Sequence, residues 1–190
     1  DTFQTGKWHL STEVWRRSFT HGKAIHQNGM SRHEKGGHWD AEFTDYDPTK
    51  TGDDAFTHFK GGKHTSEVIA DAAVDFLADR DNNSKPFMMY VGFLAPHDPL
   101  HAPDEYLARH PEAQIKLPEN FLPYHSFDQG DYYLRDEVLA GFPRSKKSIQ
   151  DKISKYYAMI EHLDHQVGRI LDKLESSQYA KNTYIIFTSD

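Results

Sequence analysis

Apolar residues cluster at a few places along this chain, and each cluster has its own spacing. Residues 87–94 (FMMYVGFL) are apolar throughout, with no charge and no alternating polar positions. That is the pattern of a strand covered on both faces of a sheet. It stops at Ala95-Pro96-His97-Asp98-Pro99, because proline cannot donate to a ladder and pushes the residue before it out of helical geometry. A second buried strand is expected over 183–188, where Thr183-Tyr-Ile-Ile-Phe-Thr188 is β-branched and aromatic. Ahead of the first strand, Val68, Ile69, Ala72, Ala73, Phe76 and Leu77 recur at helical spacing and predict a helix over 66–79. Thr65-Ser66-Glu67 supplies its expected N-cap and first-turn acid. A longer stripe (Ile149, Ile153, Tyr156, Ile160, Leu163, Val167, Ile170, Leu174) predicts the longest helix, over 149–177 and capped by Ser148. Both strands are expected in one sheet, parallel, with both helices packed on it.

Elsewhere the periodicity is lost. Residues 15–63 mix Gly, His, Asp and aromatics around Gly-Gly pairs and Asp47-Pro48, which reads as a long excursion, mostly coil. Its seven aromatics, Trp15, Phe19, Trp39, Phe43, Tyr46, Phe56 and Phe59, argue that it is ordered and partly buried. One or two helical turns are expected over 104–109. Residues 111–144 are punctuated by Pro118, Pro123, Gly130, Gly141 and Pro143 and read as an irregular but ordered arm.

Composition narrows the function. The chain has 190 residues, the size of one domain, and a net charge of −7. Its basic residues never run beyond pairs such as Arg16-Arg17, which argues against nucleic acid or an anionic membrane as partner. No apolar run approaches the ~20 residues of a membrane span. With no cysteine, this sequence holds no disulfide, thiolate metal ligand or cysteine nucleophile. Thirteen histidines raise the question of metal, but His21, His26, His33 and His38 match no zinc-ligand spacing, and no zinc site is expected there.

Two short segments carry candidate chemistry. His97 and Asp98 sit on a stiff turn at the carboxyl end of a strand, the edge at which open α/β sheets bind ligands; alternatively, His97 only caps the turn. In Gly6-Lys7-Trp8-His9, Lys7 and His9 share one face if the segment is extended and could meet one anion. A solvated Lys beside a stacked Trp is the plainer account. Two strong strands are too few for a stable sheet, so the chain is expected to be the middle of a longer protein.

Four motifs, GKWHL at 6–10, PFMMYVGFLAPHDPLHAP at 86–103, YYAMIEHLDHQVGRILDKLE at 156–175 and NTYIIFTSD at 182–190, together resemble the sulfatases of the alkaline-phosphatase-like superfamily. Order and spacing both fit, and the resemblance covers nearly the whole chain. The arm over 117–144 looks like that of bacterial polysaccharide-type and iduronate-sulfatase-like members. The resemblance implies an α/β sandwich with a mainly parallel central sheet flanked by helices, residues 1–190 being the central part of a sulfatase catalytic domain. It implies formylglycine-dependent, calcium-dependent hydrolysis of a sulfate ester, with a sulfated small molecule or polysaccharide as substrate and a periplasmic or extracellular location. In its terms Lys7 bridges nucleophile and sulfate, and His9 is the base that breaks down the sulfated hydrate. His97 contacts sulfate and leaving oxygen as or beside the general acid, Asp98 stands with it at the substrate, and Asp190 is a calcium ligand. These types suit the chemistry: fixed cations for equatorial oxygens, imidazoles for proton transfer near neutral pH and hard oxygens for calcium. The formylglycine motif and the paired metal-binding aspartates of the family are absent from this sequence, so this stretch alone is expected to be inactive. A phosphonate monoester or phosphodiester hydrolase of the same superfamily, and a non-catalytic anion- or glycan-binding module, are the alternatives. Lys7, His9, His97 and Asp190 are expected to converge on one pocket.

Overall fold

The structure is a computed structural model that describes residues 1–32, 36–80 and 85–189. They fall into two units, Asp1–Pro99 with Leu163–Asp190, and Leu100–His162.

The first unit is built on a five-stranded sheet. Its strands are β1 (Thr2–Lys7), β2 (His21–His26), β3 (Glu42–Tyr46), β4 (Phe56–Lys60) and β5 (Met88–Gly92), in the order β4-β3-β2-β1-β5. β1 pairs in parallel with both β2 and β5, whereas β2–β3 and β3–β4 are antiparallel. Alternate residues of a strand face opposite sides of a sheet, and adjacent residues here divide accordingly. Phe3 and Ala24 join Phe43, Val68, Ile69 and Leu94 in one core. On the other side Ile25 joins Trp15 and Phe19, with Trp8, Tyr46 and Phe56 packed around them. Trp15 comes from α1 (Thr12–Ser18) and donates from Nε1 to Gln4 Oε1 at 2.8 Å, which satisfies a fully buried glutamine.

Helix α2 (Thr65–Asp79) is buried along two stripes. Val68, Ile69 and Ala72 meet the core around Phe3 and Phe43. Ala70, Ala73 and Leu77 meet Ile170 and Leu174, with Phe87, Met89 and Val91 of the β5 segment alongside. Asp71 accepts from Lys63 and, at 2.6 Å, from Arg169 Nη2. The Arg169 pair joins α2 to the carboxyl half of the long helix α5 (Lys146–Glu175).

The second unit, residues 100–162, contains α3 (Asp104–Leu107), α4 (Arg135–Val138) and the amino-terminal half of α5. Tyr106 is buried against the His162 ring at 5.0 Å. Glu161 accepts from Arg109 Nη1 at 2.6 Å and lies 2.8 Å from His110 Nε2. The expected arm is a closed loop, since the Arg144 amide donates to the Pro123 carbonyl at 2.9 Å. Phe142 is its hub, packed by Tyr124, His125, Tyr132 and the Arg144 guanidinium.

Several expectations are corrected. Residues 15–63 are not mostly coil; they hold most of α1 and all of β2, β3 and β4. Helix α2 leads directly into β5 and packs on β1, β2 and β5. Residues 183–189 form no strand and are exposed from Tyr184 on, Tyr184 at 99% and Phe187 at 85%, because no described residue offers them a ladder to join. β5 is accordingly an edge strand among the described residues, with Met88 and Tyr90 about half exposed rather than covered. The caps move as well: the His64 ring accepts from the Ser66 amide and caps α2, and Ser145 Oγ accepts from the Ser148 amide before α5. The buried residues of α5 are Ser154, Ala158, Met159, His162, Gln166, Ile170 and Leu174, while Tyr156 and Ile160 are 41% and 40% exposed. The i, i+4 rows of a helix run side by side, so the apolar series crossed from one row to the next.

Candidate active site

Three parallel strands end on one edge of the sheet, and chain chemistry collects there. Lys7 closes β1 in register with His26, the last residue of β2. Gly6, one residue earlier, pairs with Gly92 of β5 and has φ +83°. A Cβ at Gly6 would fall 1.9 Å from the Gly92 carbonyl oxygen, so only glycine allows β1 to deliver Lys7 beside the end of β5. From Gly92 the chain runs through buried Leu94 and Ala95 to the His97 turn, where the His97 amide donates to the Leu94 carbonyl at 3.0 Å.

The His97 ring is held by its neighbour. Nδ1 lies 2.9 Å from Asp98 Oδ1 and 3.1 Å from the Asp98 carbonyl oxygen. Both are acceptors, so Nδ1 carries the hydrogen and the neutral ring has its lone pair on Nε2. The imidazole is 36% exposed and the Asp98 carboxylate 18%. His97 therefore does cap its turn, through Nδ1, and the same bond leaves Nε2 as the nitrogen that can exchange a proton with a ligand. The two readings of His97 are compatible.

Behind this turn stands a pair of histidines that no sequence period announced. His38 lies within 3.1 Å of the His97 carbonyl through Nε2 and within 2.7 Å of Thr65 Oγ1 through Nδ1. Its ring stacks on His64, with centroids 5.0 Å apart and 13° between planes, and both are fully buried. A histidine directly before Thr-Ser at a helix start was the available clue, because an acceptor at that position can cap the helix.

The other expected residues are placed as follows. His9 lies beyond the end of β1, exposed, with its ring against Gly29, where a Cβ would stand 2.6 Å from His9 Cε1. Trp8 between them stacks edge-on against Phe19 at 5.5 Å, and its amide donates to the His26 carbonyl. Asp190 lies outside the described residues, as does His33. His21 bonds Thr20 Oγ1 at 2.8 Å, and its pKa is lowered by burial and then by the charge of Arg80. His26 donates from Nδ1 to the Glu42 carbonyl at 2.9 Å. Among the described residues no group of three or more His, Asp and Glu side chains is arranged to hold a metal ion.

With that geometry in view, comparison with known proteins is decisive about kinship. The family model for Sulfatase matches residues 1–190. The chain belongs to the sulfatase family. A sulfatase of Formosa agariphila is 34% identical over 128 residues, covering 62% of this chain and 24% of that protein. Human iduronate 2-sulfatase is 32% identical over 130 residues, with coverage of 62% and 24%. A protein solved in complex with its substrate D-glucosamine-2-N,6-O-disulfate superposes with TM-score 0.56 at 23% identity, over 92% of this chain and 44% of its own. That likeness shows the mixed α/β fold. The sulfatase chain described here spans about a quarter of the first two relatives' length. None of its described helices is long and apolar enough to cross a membrane.

Proposed function

We propose that the full-length protein is a sulfuric ester hydrolase that releases sulfate from a sulfated carbohydrate. The observation that carries this reading is the match of the whole chain to the sulfatase family, on a sheet whose carboxyl edge collects Lys7 and the His97 turn. The sulfated-sugar complex of a structural neighbour supports a carbohydrate as the alcohol.

Breaking the bond between sulfur and the sugar oxygen leaves charge on both fragments. The Lys7 ammonium is assigned to a sulfate oxygen, where a fixed cation meets the growing negative charge. His97 is assigned to the leaving oxygen: as imidazolium it donates from Nε2, while Nδ1–H stays on Asp98. Asp98 orients that ring, and exposed His9 is assigned the base role. Calcium, with Asp190 among its ligands, and a formylglycine nucleophile belong to the proposal for the full-length protein, as does a periplasmic or extracellular location.

The test is turnover by the full-length protein of 4-nitrophenyl sulfate beside 4-nitrophenyl phosphate and a phosphonate monoester, followed by sulfate release from sulfated saccharides. Sulfate should be the preferred leaving group, and His97→Ala should lower kcat by roughly 10²-fold or more, the scale of lost acid–base catalysis, with an unchanged melting temperature. Preference for the phosphorus esters would assign the other hydrolase class. Saccharide binding without turnover of any ester would make the protein a binding module.

A further inference from the structure

His97 is assigned its chemistry through its side chain, yet its position is set through its main chain. Its carbonyl faces His38 Nε2 at 3.1 Å. A carbonyl can only accept, so Nε2 of His38 carries the hydrogen and donates it. A neutral His38 ring then accepts at Nδ1, where Thr65 Oγ1 stands at 2.7 Å. The ring cannot swing away, because it lies flat on His64, itself pinned by the Ser66 amide at 3.2 Å and by the edge of Trp39 at 5.2 Å. His38, His64 and Thr65 are all fully buried, where a directed hydrogen bond is strong and its loss leaves an unsatisfied group. Thr65 and His64 start α2, and α2 is fixed to the sheet by Val68, Ile69 and Ala72. A rigid path thus runs from core helix to turn.

We infer that His38 is a positioning residue for His97, fixing the turn that bears it by donating from Nε2 to the His97 carbonyl. The inference rests on the sulfatase reading for what His97 does, and on geometry alone for how it is held. It explains why a histidine stands buried behind this turn, a place where an apolar side chain could not donate to the His97 carbonyl.

The experiment compares His38→Leu, His38→Gln and Thr65→Val in the full-length protein. Glutamine can keep a donor near Nε2, whereas leucine cannot. Hydrogen exchange of the segment 94–99 should be about tenfold faster in His38→Leu, the scale of one buried hydrogen bond, and near wild type in His38→Gln. With an aryl sulfate, His38→Leu should lower kcat by about the same factor with KM nearly unchanged, and glutamine should restore most of it. Thr65→Val should shift exchange in the same direction by less, which keeps the test open if His38→Leu does not fold. Wild-type exchange in both Thr65→Val and His38→Leu, or a glutamine variant as impaired as leucine, would overturn the inference. A wild-type protein without sulfatase activity would overturn the functional reading instead, and the exchange data would still decide the role of His38.

Discussion

The two units are held together by different physics. In the first, Trp15, Phe43, Ile25, Ile69 and Leu77 are essentially without exposed surface, stacked on two faces of one sheet. In the second, buried apolar residues are few (Ala102, Tyr106, Ala158 and Met159), and hydrogen-bonded charges and ring contacts are prominent: Glu161 with Arg109 and His110, Glu137 with Arg144, and Phe142 among Tyr124, His125 and Tyr132. Apolar burial stabilises in proportion to area whatever the orientation. Exposed ion pairs stabilise little and hold geometry only while both charges persist. The first unit should therefore set global stability, and the second should respond to pH and salt while the first stays folded.

The most severe way to break the comparison is to empty each hub in the full-length protein. Trp15→Ala removes a fully buried indole and strands Gln4, so denaturant unfolding should show a loss of about 3–5 kcal/mol. Phe142→Ala, in a partly exposed hub, should cost no more than about 1–2 kcal/mol. Equal losses would mean that the arm carries a core of its own. A smaller effect comes from Asp71, which links Lys63 and Arg169 across α2 and α5. Burial alone would raise its pKa, but hydrogen bonds from those two cations hold it below the usual 3.8. Its contribution is thus fully present above pH ~3.8 and fades as pH falls through the lower folded value. Asp71→Asn should cost about 1 kcal/mol or less at pH 7, given solvent screening, and nothing in strong acid; unfolding midpoints across pH read both. Glu161→Gln should matter least to global stability. The Glu161 pKa is lowered first by Arg109, against desolvation, and then by His110, so its contribution also disappears as pH falls below its ordinary 4.5. The expected readout is faster amide exchange over 105–110 at neutral pH, with the melting temperature unmoved. A matching drop in melting temperature would merge the two units into one cooperative block.

Much of the fold was legible because its signals are local. The apolar run before Pro96 marks β5, and the 3.6-residue period marks α2 and α5. Pro and Gly punctuation marked 111–144 as an irregular arm, whereas its closure by the bond from the Arg144 amide to the Pro123 carbonyl was not legible. The candidate site was legible only as residue types on short segments: the run before Pro96 put His97 on a turn after a strand, while Lys7 and His9 were read as one face of an extended segment, of which Lys7 closes β1 and His9 lies beyond it against Gly29.

What the chain did not disclose depends on partners distant in sequence. β2, β3 and β4 are short and polar-rich, and they become strands because β1 and one another complete their ladders and Trp15 covers one face. The converse holds at 183–189, where high β propensity yields no strand without a neighbour to bond. The His38–His64 stack joins a loop to a helix cap 26 positions away, a distance no period encodes. By itself the sequence determined which segments can be buried and where the backbone must turn, since hydrophobic spacing and proline act within a few residues. Only the tertiary structure decided which polar groups share a bond, because a hydrogen bond is made between particular atoms and depends on where every intervening element has packed.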